Sequence, residues 1–84
     1  MYYVYIVECA DKTLYTGCTN NLEKRIHAHN TESSGAKYTR ARRPVKLVYS
    51  EVLPTLTLAY AREAEIKRFT KQKKLALIKN AIQQ

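Results

Sequence analysis

Cysteine is scarce in this 84-residue chain. Cys9 and Cys18 are the only two, too few for a disulfide scaffold, and no second cysteine pair or Cys-His cluster supplies the four ligands of a structural zinc. Both thiols read as reduced core or strand residues. Long apolar runs are also missing: none approaches the ~20 residues that span a bilayer, and no secretory signal pattern opens the chain, so a soluble, cytoplasmic protein is expected. Acids are few, with seven Asp/Glu against fifteen Lys/Arg for a formal charge of +8. No acid lies between Ser33 and Ser50, and none beyond Glu65. This balance attracts polyanions over a Debye length of ~8 Å, which makes nucleic acid the first partner to consider. Repeats, low-complexity tracts and linkers are absent.

With 45% apolar and 26% charged residues, the composition is that of a globular chain, and its length allows one domain over residues 1–84. A chain of this size buries only roughly 60–65% of its unfolded surface. The core must be small, and any active site should be a shallow surface cleft.

Tyr2 to Cys9 (YYVYIVEC) is dense in aromatic and β-branched residues and reads as a strand, as does Leu14 to Thr19 (LYTGCT). The short polar segment Ala10 to Thr13 makes them a hairpin. Asn20-Asn21-Leu22-Glu23 offers an Asx cap, with Glu23 placed to reach back, for a helix that fades near Asn30 before the helix-competing run Thr31 to Gly35. Ala36 to Pro44 is a basic connector with room for one helical turn. Val45 to Leu53 reads as a third strand bracketed by Pro44 and Pro54. Thr55 or Thr57 caps a helix to about Phe69, and Thr70 caps a last one over Lys71–Ile82. The expected fold is α+β, one small sheet with helices in the order β-β-α-β-α-α.

Helical geometry assigns faces from numbering alone. With Leu22 at zero, Ile26 falls at about +40°, His29 at about −20° and Arg25 at about −60°, so Arg25 and His29 flank the apolar stripe while His27 points to solvent. With Leu56 at zero, Ala59 falls at about −60°, Tyr60 at about +40° and Ile66 at about −80°, an inward arc that contains Glu63 at about −20° and excludes Glu65. A carboxylate turned inward loses several kcal/mol of solvation unless compensated. Lys67 one turn on, Arg25 across the fold, or a divalent metal ion would meet that need. Mg²⁺ takes only one or two protein carboxylates, so a lone glutamate suffices chemically. Of the seven tyrosines, Tyr2, Tyr38, Tyr49 and Tyr60 read as ordinary amphipathic residues. Tyr5 and Tyr15 share a face only if the hairpin strands pair with an even residue sum, which an odd loop or a bulge permits and a four-residue loop forbids.

Tyr3-Val4-Tyr5, then nine residues, then Tyr15-Thr16-Gly17, followed by Arg25, His29 and Glu63, closely resembles the GIY-YIG nuclease superfamily. The segments LYTGCTNNLEKRIHAHN, GAKYTRARRPVKLVYSE and AREAEIKRFTKQKK are similar to its small stand-alone bacterial members. The resemblance implies a three-stranded antiparallel sheet flanked by helices and a phosphodiesterase site using a divalent metal, Mg²⁺ or Mn²⁺. It places the motif tyrosines on Tyr5 and Tyr15, the helix arginine on Arg25, the histidine on His29 and the metal-binding glutamate on Glu63. Two departures stand out. Tyr3 replaces the first glycine of the pattern, and an asparagine carried by many active members beyond the glutamate is missing from Lys73-Lys74-Leu75, with Asn80 too far along to replace it.

These residue types permit hydrolysis of a phosphodiester. A phenol with pKa ~10 is only about one part in a thousand ionised at neutral pH, so a base at Tyr5 or Tyr15 is expected to have its pKa lowered by Arg25 and a metal at Glu63. Arg25 also matches phosphate oxygens with its planar fork, and His29 either relays a proton or orients a tyrosine. Lys37, Arg40, Arg42 and Arg43 in the connector, with Lys67, Arg68, Lys71, Lys73 and Lys74 farther on, are expected to track nucleic-acid phosphates. A DNA endonuclease of repair or recombination is the leading expectation. A non-catalytic nucleic-acid-binding module of the same fold and a protein-binding adaptor are the alternatives.

Overall fold

The computed structural model describes residues 1–32 and 36–82. It contains β1 (Tyr2–Glu8), β2 (Leu14–Thr19), α1 (Leu22–Thr31), α2 (Lys37–Arg40), β3 (Lys46–Leu53), α3 (Leu56–Lys67) and α4 (Lys71–Ile82). The order is the expected one, with the connector's single turn appearing as α2. Ser33 to Gly35, part of the run expected to end the first helix, lie outside the described residues.

The helix starts follow local side-chain chemistry. Asn21 Oδ1 accepts the Lys24 N–H at 3.1 Å, Thr55 Oγ1 that of Leu58 at 3.2 Å and Thr70 Oγ1 that of Lys73 at 3.1 Å, each satisfying an amide with no partner inside its helix. Because the first cap is Asn21, the third residue inward is Lys24 rather than Glu23. The expected box with Glu23 is displaced by one position.

The sheet is antiparallel with order β2-β1-β3. Cys9 leaves β1 and joins the turn, where its N–H donates to the Thr13 carbonyl at 2.9 Å. Lys12, at φ 71°, supplies the left-handed residue that closes it. The loop therefore has five residues, Glu8 pairs with Leu14, and Tyr5 sits opposite Gly17 and Val7 opposite Tyr15. Residue sums are even, and Tyr5 and Tyr15 share a face. On the other side of β1 the pairing shifts between Ile6 and Val7, leaving Val48 as an extra residue in β3. This bulge lets Val48 and Tyr49 both pack against the same core cluster, breaking the strict alternation expected of that strand.

β1 supplies both faces. Val4 and Ile6 join Ala59 and Ile66 of α3 in one cluster, with Leu77 and Ile78 of α4 packed against it. Tyr5 and Val7 join Cys9 and Val45 in the other, beneath Leu22 and Ile26 of α1. On α3 the expected arc is rotated. Tyr60 is 57% exposed and Leu56 is exposed, while Ala59 and Ile66 are sealed and Arg62 and Glu63 half-buried, centring the inward side at about −70° on the same wheel. α3 docks on β1 through Ala59 and Ile66, both fully buried against Val4 and Ile6, which leaves the half-buried Glu63 at the rim of the contact. Arg62 fixes that docking from the far side, with Nε donating to Glu51 Oε1 and an Nη to Glu65 Oε1, both at 2.6 Å. No described helix is long and apolar enough to cross a membrane.

Candidate active site

Gly17 lies in β2, an edge strand, directly across from Tyr5. A Cβ at this position would collide with the Tyr5 hydroxyl and its ring carbon, so the missing side chain is what allows the phenol to lie over the edge strand. Asn21 turns the chain from β2 straight into α1. Arg25 and His29, one turn apart, then face back toward the two tyrosines, as the helical wheel predicts, and His27 is exposed.

Tyr5 is 1% exposed and His29 is fully buried. Tyr5 Oη lies 2.7 Å from His29 Nε2, and His29 Nδ1 lies 2.8 Å from Thr39 Oγ1, which donates its hydroxyl to the Ala36 carbonyl at 2.9 Å. Tyr15 meets the His29 ring edge-on at 5.5 Å between centroids and stacks on Tyr38 at 5.8 Å. The Arg42 guanidinium covers the Tyr38 ring at 4.0 Å, while Arg42 donates to Asp11 Oδ2 at 3.1 Å and to the Tyr38 carbonyl at 2.9 Å. Arg43 donates to the His29 carbonyl at 2.5 Å and to the Glu32 carbonyl at 2.6 Å, closing the end of α1. The connector, read from sequence as a phosphate-holding stretch, is thus also the clamp of the site. Arg42 and Arg43 spend donors internally, whereas Lys37 and Arg40 are exposed. Thr39 escaped sequence analysis, since a threonine among arginines carries no pattern of its own.

The electrostatics join the remaining groups. Burial pushes the Tyr5 hydroxyl up to about 12, against a hydrogen bond and attraction from Arg25 and with Tyr15 and Glu63 adding in the upward direction. Arg25 alone does not lower the Tyr5 pKa, because desolvation outweighs the guanidinium. Burial also pulls His29 down to about 4, assisted by the positive charges of Arg25 and Arg43. The imidazole is therefore neutral at pH 7.

Arg25 reaches the Tyr5 hydroxyl from α1 on one face of the sheet, and the charge of Glu63 reaches it from α3 on the other. The Glu63 side chain is 18% exposed and pairs with Lys67 Nζ at 3.2 Å, one of the three compensations the inward carboxylate required. Among the described residues no group of three His, Cys, Asp or Glu side chains is placed to hold a metal. The donor set suits a hard cation that keeps most of its water and takes one carboxylate, and it does not suit zinc. A shallow cavity of about 250 Å³ bounded by Thr19, Asn21, Lys24 and Arg25 opens beside α1, and of the expected catalytic residues it takes in Arg25 but neither tyrosine, nor His29, nor Glu63.

The basic residues divide between the faces. Lys37 and Arg40 belong to α2, while Lys67, Arg68, Lys71, Lys73 and Lys74 belong to α3, α4 and the turn between them. The two groups approach each other at the hairpin loop, where Arg42 bonds Asp11 and Lys71 Nζ donates to the Lys12 carbonyl at 3.0 Å. Lys73 lies 4.2 Å from the centre of the Phe69 ring. Lys74 is half-buried, and burial, with Lys67 nearby, lowers its pKa.

Comparison with known proteins agrees with this arrangement. The family model described as the GIY-YIG catalytic domain matches residues 1–76. A UPF0213 protein of Syntrophus aciditrophicus is 57% identical over 77 residues, covering 92% of this chain and 88% of the relative, and one of Clostridium perfringens is 59% identical over 78 residues, covering 93% and 83%. Among solved structures, the solution NMR structure of the UPF0213 protein BH0048 from Bacillus halodurans superposes with a TM-score of 0.60 at 41% identity, covering 94% of this chain and 84% of that one. The protein EF2693 from E. faecalis gives 0.62 at 36% identity, covering 96% and 86%. At the coarse level the match implies a nuclease superfamily and nucleic-acid binding. A three-stranded antiparallel sheet of this order and a family match over residues 1–76 make this chain a member of the GIY-YIG family.

Proposed function

We propose that the single domain spanning residues 1–84 is a metal-dependent endonuclease that hydrolyses DNA phosphodiester bonds in the cytoplasm, in repair or recombination. The observation that carries this reading is the shared electrostatic neighbourhood of Tyr5, Tyr15, Arg25 and Glu63 around the hydroxyl above Gly17. Tyr15 is the less buried phenol, so it is the one that meets the attacking water and takes its proton. Tyr5 and His29, sealed from solvent, position the groups that touch substrate. Arg25 holds the scissile phosphate through its planar fork and offsets charge developing there. Glu63 holds Mg²⁺ or Mn²⁺, which when bound supplies Lewis-acid stabilisation of the phosphate and leaving oxygen. Lys37, Arg40, Lys67, Arg68, Lys71, Lys73 and Lys74 track the backbone on either side of the hairpin loop, with Arg42 and Arg43 adding charge from their internal bonds.

The test is incubation of purified protein with nicked, branched and flapped DNA in Mg²⁺ or Mn²⁺. Wild type should cleave, and Glu63→Ala should not. Equal background from both ends the enzyme reading. One observation favours a second reading, a binding module without turnover: the stretch beyond Glu63 carries Lys73-Lys74-Leu75, with Lys74 half-buried, in place of the family's asparagine. Such a module binds without cleaving, and neutralisation of ~6 phosphates lowers its affinity by about three orders of magnitude between 50 and 200 mM salt.

A further inference from the structure

The buried hydrogen bonds beneath the site have a direction that their partners dictate. The Ala36 carbonyl can only accept, and the Thr39 hydroxyl donates its single proton to it at 2.9 Å. Thr39 Oγ1 is left with lone pairs facing His29 Nδ1 at 2.8 Å, so Nδ1 carries the ring proton. Nε2 then carries the lone pair, and the Tyr5 hydroxyl 2.7 Å away is the donor. With its proton committed to His29, Tyr5 Oη keeps its lone pairs for the positive charge of Arg25, which acts on this hydroxyl from α1. The order runs from a backbone carbonyl to the arginine without a conflict at any link.

The geometry points to Thr39 as a positioning residue: by fixing His29 in the Nδ1–H form it orients the Tyr5 hydroxyl, and through it Arg25, toward a bound phosphate. Thr39 is fully buried and touches no substrate. Its place is specified by the connector, since α2 begins at Lys37 and Thr39 also donates its backbone N–H to the Ala36 carbonyl at 3.1 Å. A valine would fill the same space and offer Nδ1 no acceptor. Without one, the Nε2–H form, which bonds Tyr5 Oη as a donor, becomes competitive and places a second donor against Arg25.

The consequence for catalysis rests on the nuclease reading above, but the tautomer does not. Two-bond ¹⁵N–¹H correlation spectra of histidine-labelled protein at pH 7 identify which ring nitrogen is protonated. Wild type and Thr39→Ser should show His29 as Nδ1–H, and Thr39→Val should show loss of that form in favour of Nε2–H. Nε2–H in wild type overturns the proposal without any variant being needed, as does an unchanged Nδ1–H signal in folded Thr39→Val. In parallel, metal-dependent cleavage by Thr39→Val should fall roughly tenfold, the equivalent of about one hydrogen bond, and recover in Thr39→Ser. Full cleavage by Thr39→Val removes the link to Arg25. Absence of cleavage by wild type removes the nuclease reading and leaves the spectra to decide the role of Thr39.

Discussion

The two faces of β1 use the same strand in opposite ways. Val4 and Ile6 point into a hydrocarbon layer with Ala59 and Ile66, where contact is non-directional and any well-filled packing serves. Tyr5, one residue along, points into a layer wired by buried hydrogen bonds through His29 and Thr39 to the Ala36 carbonyl, with the charge of Arg25 acting on its hydroxyl. Buried polar networks of this kind confer orientation rather than bulk stability, since each bond contributes only about 1 kcal/mol net yet costs more when left unmade. The apolar face tolerates exchange of shape, and the wired face tolerates little exchange of chemistry.

The sharpest way to separate the faces is to remove the endpoint of the wire. Arg25→Ala should lower metal-dependent cleavage by about 10²–10³-fold, the scale seen when one charge-stabilising donor is lost, measured as kcat/KM on a flapped duplex. Wild-type rates would show that phosphate is held elsewhere. A second test uses proton linkage. His29 titrates at about 4 in the folded chain against 6.5 when unfolded, so between those values only the unfolded chain takes up the proton. Its contribution to stability is complete above pH 6.5 and is lost as pH falls toward 4. At about 1.4 kcal/mol per unit, urea unfolding should register a loss of about 3 kcal/mol across that interval, with the corresponding slope gone in His29→Gln. The positive charges of Arg25 and Arg43 beside the ring act in the same direction.

The smallest expected effect has the opposite sign. Thr16, paired with Ile6 and turned toward α3, is 2% exposed, and its Oγ1 has no hydrogen-bond partner among the described residues. Thr16→Val should therefore stabilise the protein by roughly 1 kcal/mol, read from the urea midpoint at constant m. The same replacement at Thr39 removes a bond that is made. Threonine to valine thus reports on which face a residue belongs to.

Caps were legible because they depend on three or four consecutive residues: Thr55 and Thr70 act at the positions their neighbours imply. The inward placement of Arg25 and His29 was legible because α1 has a clear stripe through Leu22 and Ile26. The phase of α3 was not. Leu56 and Tyr60 look like core on a wheel, but α3 docks through Ala59 and Ile66 and leaves them exposed, and no local pattern encodes which side of a helix meets the sheet. Register also escaped, because it turned on whether Cys9 was the last strand residue or the first of the loop, and its side chain suits either. Arg42 and Arg43 were visible as charge, while their service to Tyr38 and to the end of α1 depends on contacts made across the chain.

The turn from Cys9 to Thr13 carries a constraint of its own on how this sequence can vary. Removing or adding one residue there, with the outer strand still pairing in line, would exchange Tyr15 for a neighbour on the opposite side of the sheet and send the phenol among the aliphatic side chains under α3. Length changes in that turn are therefore compatible with an intact site only in steps of two, unless a compensating bulge arises in the strand that follows.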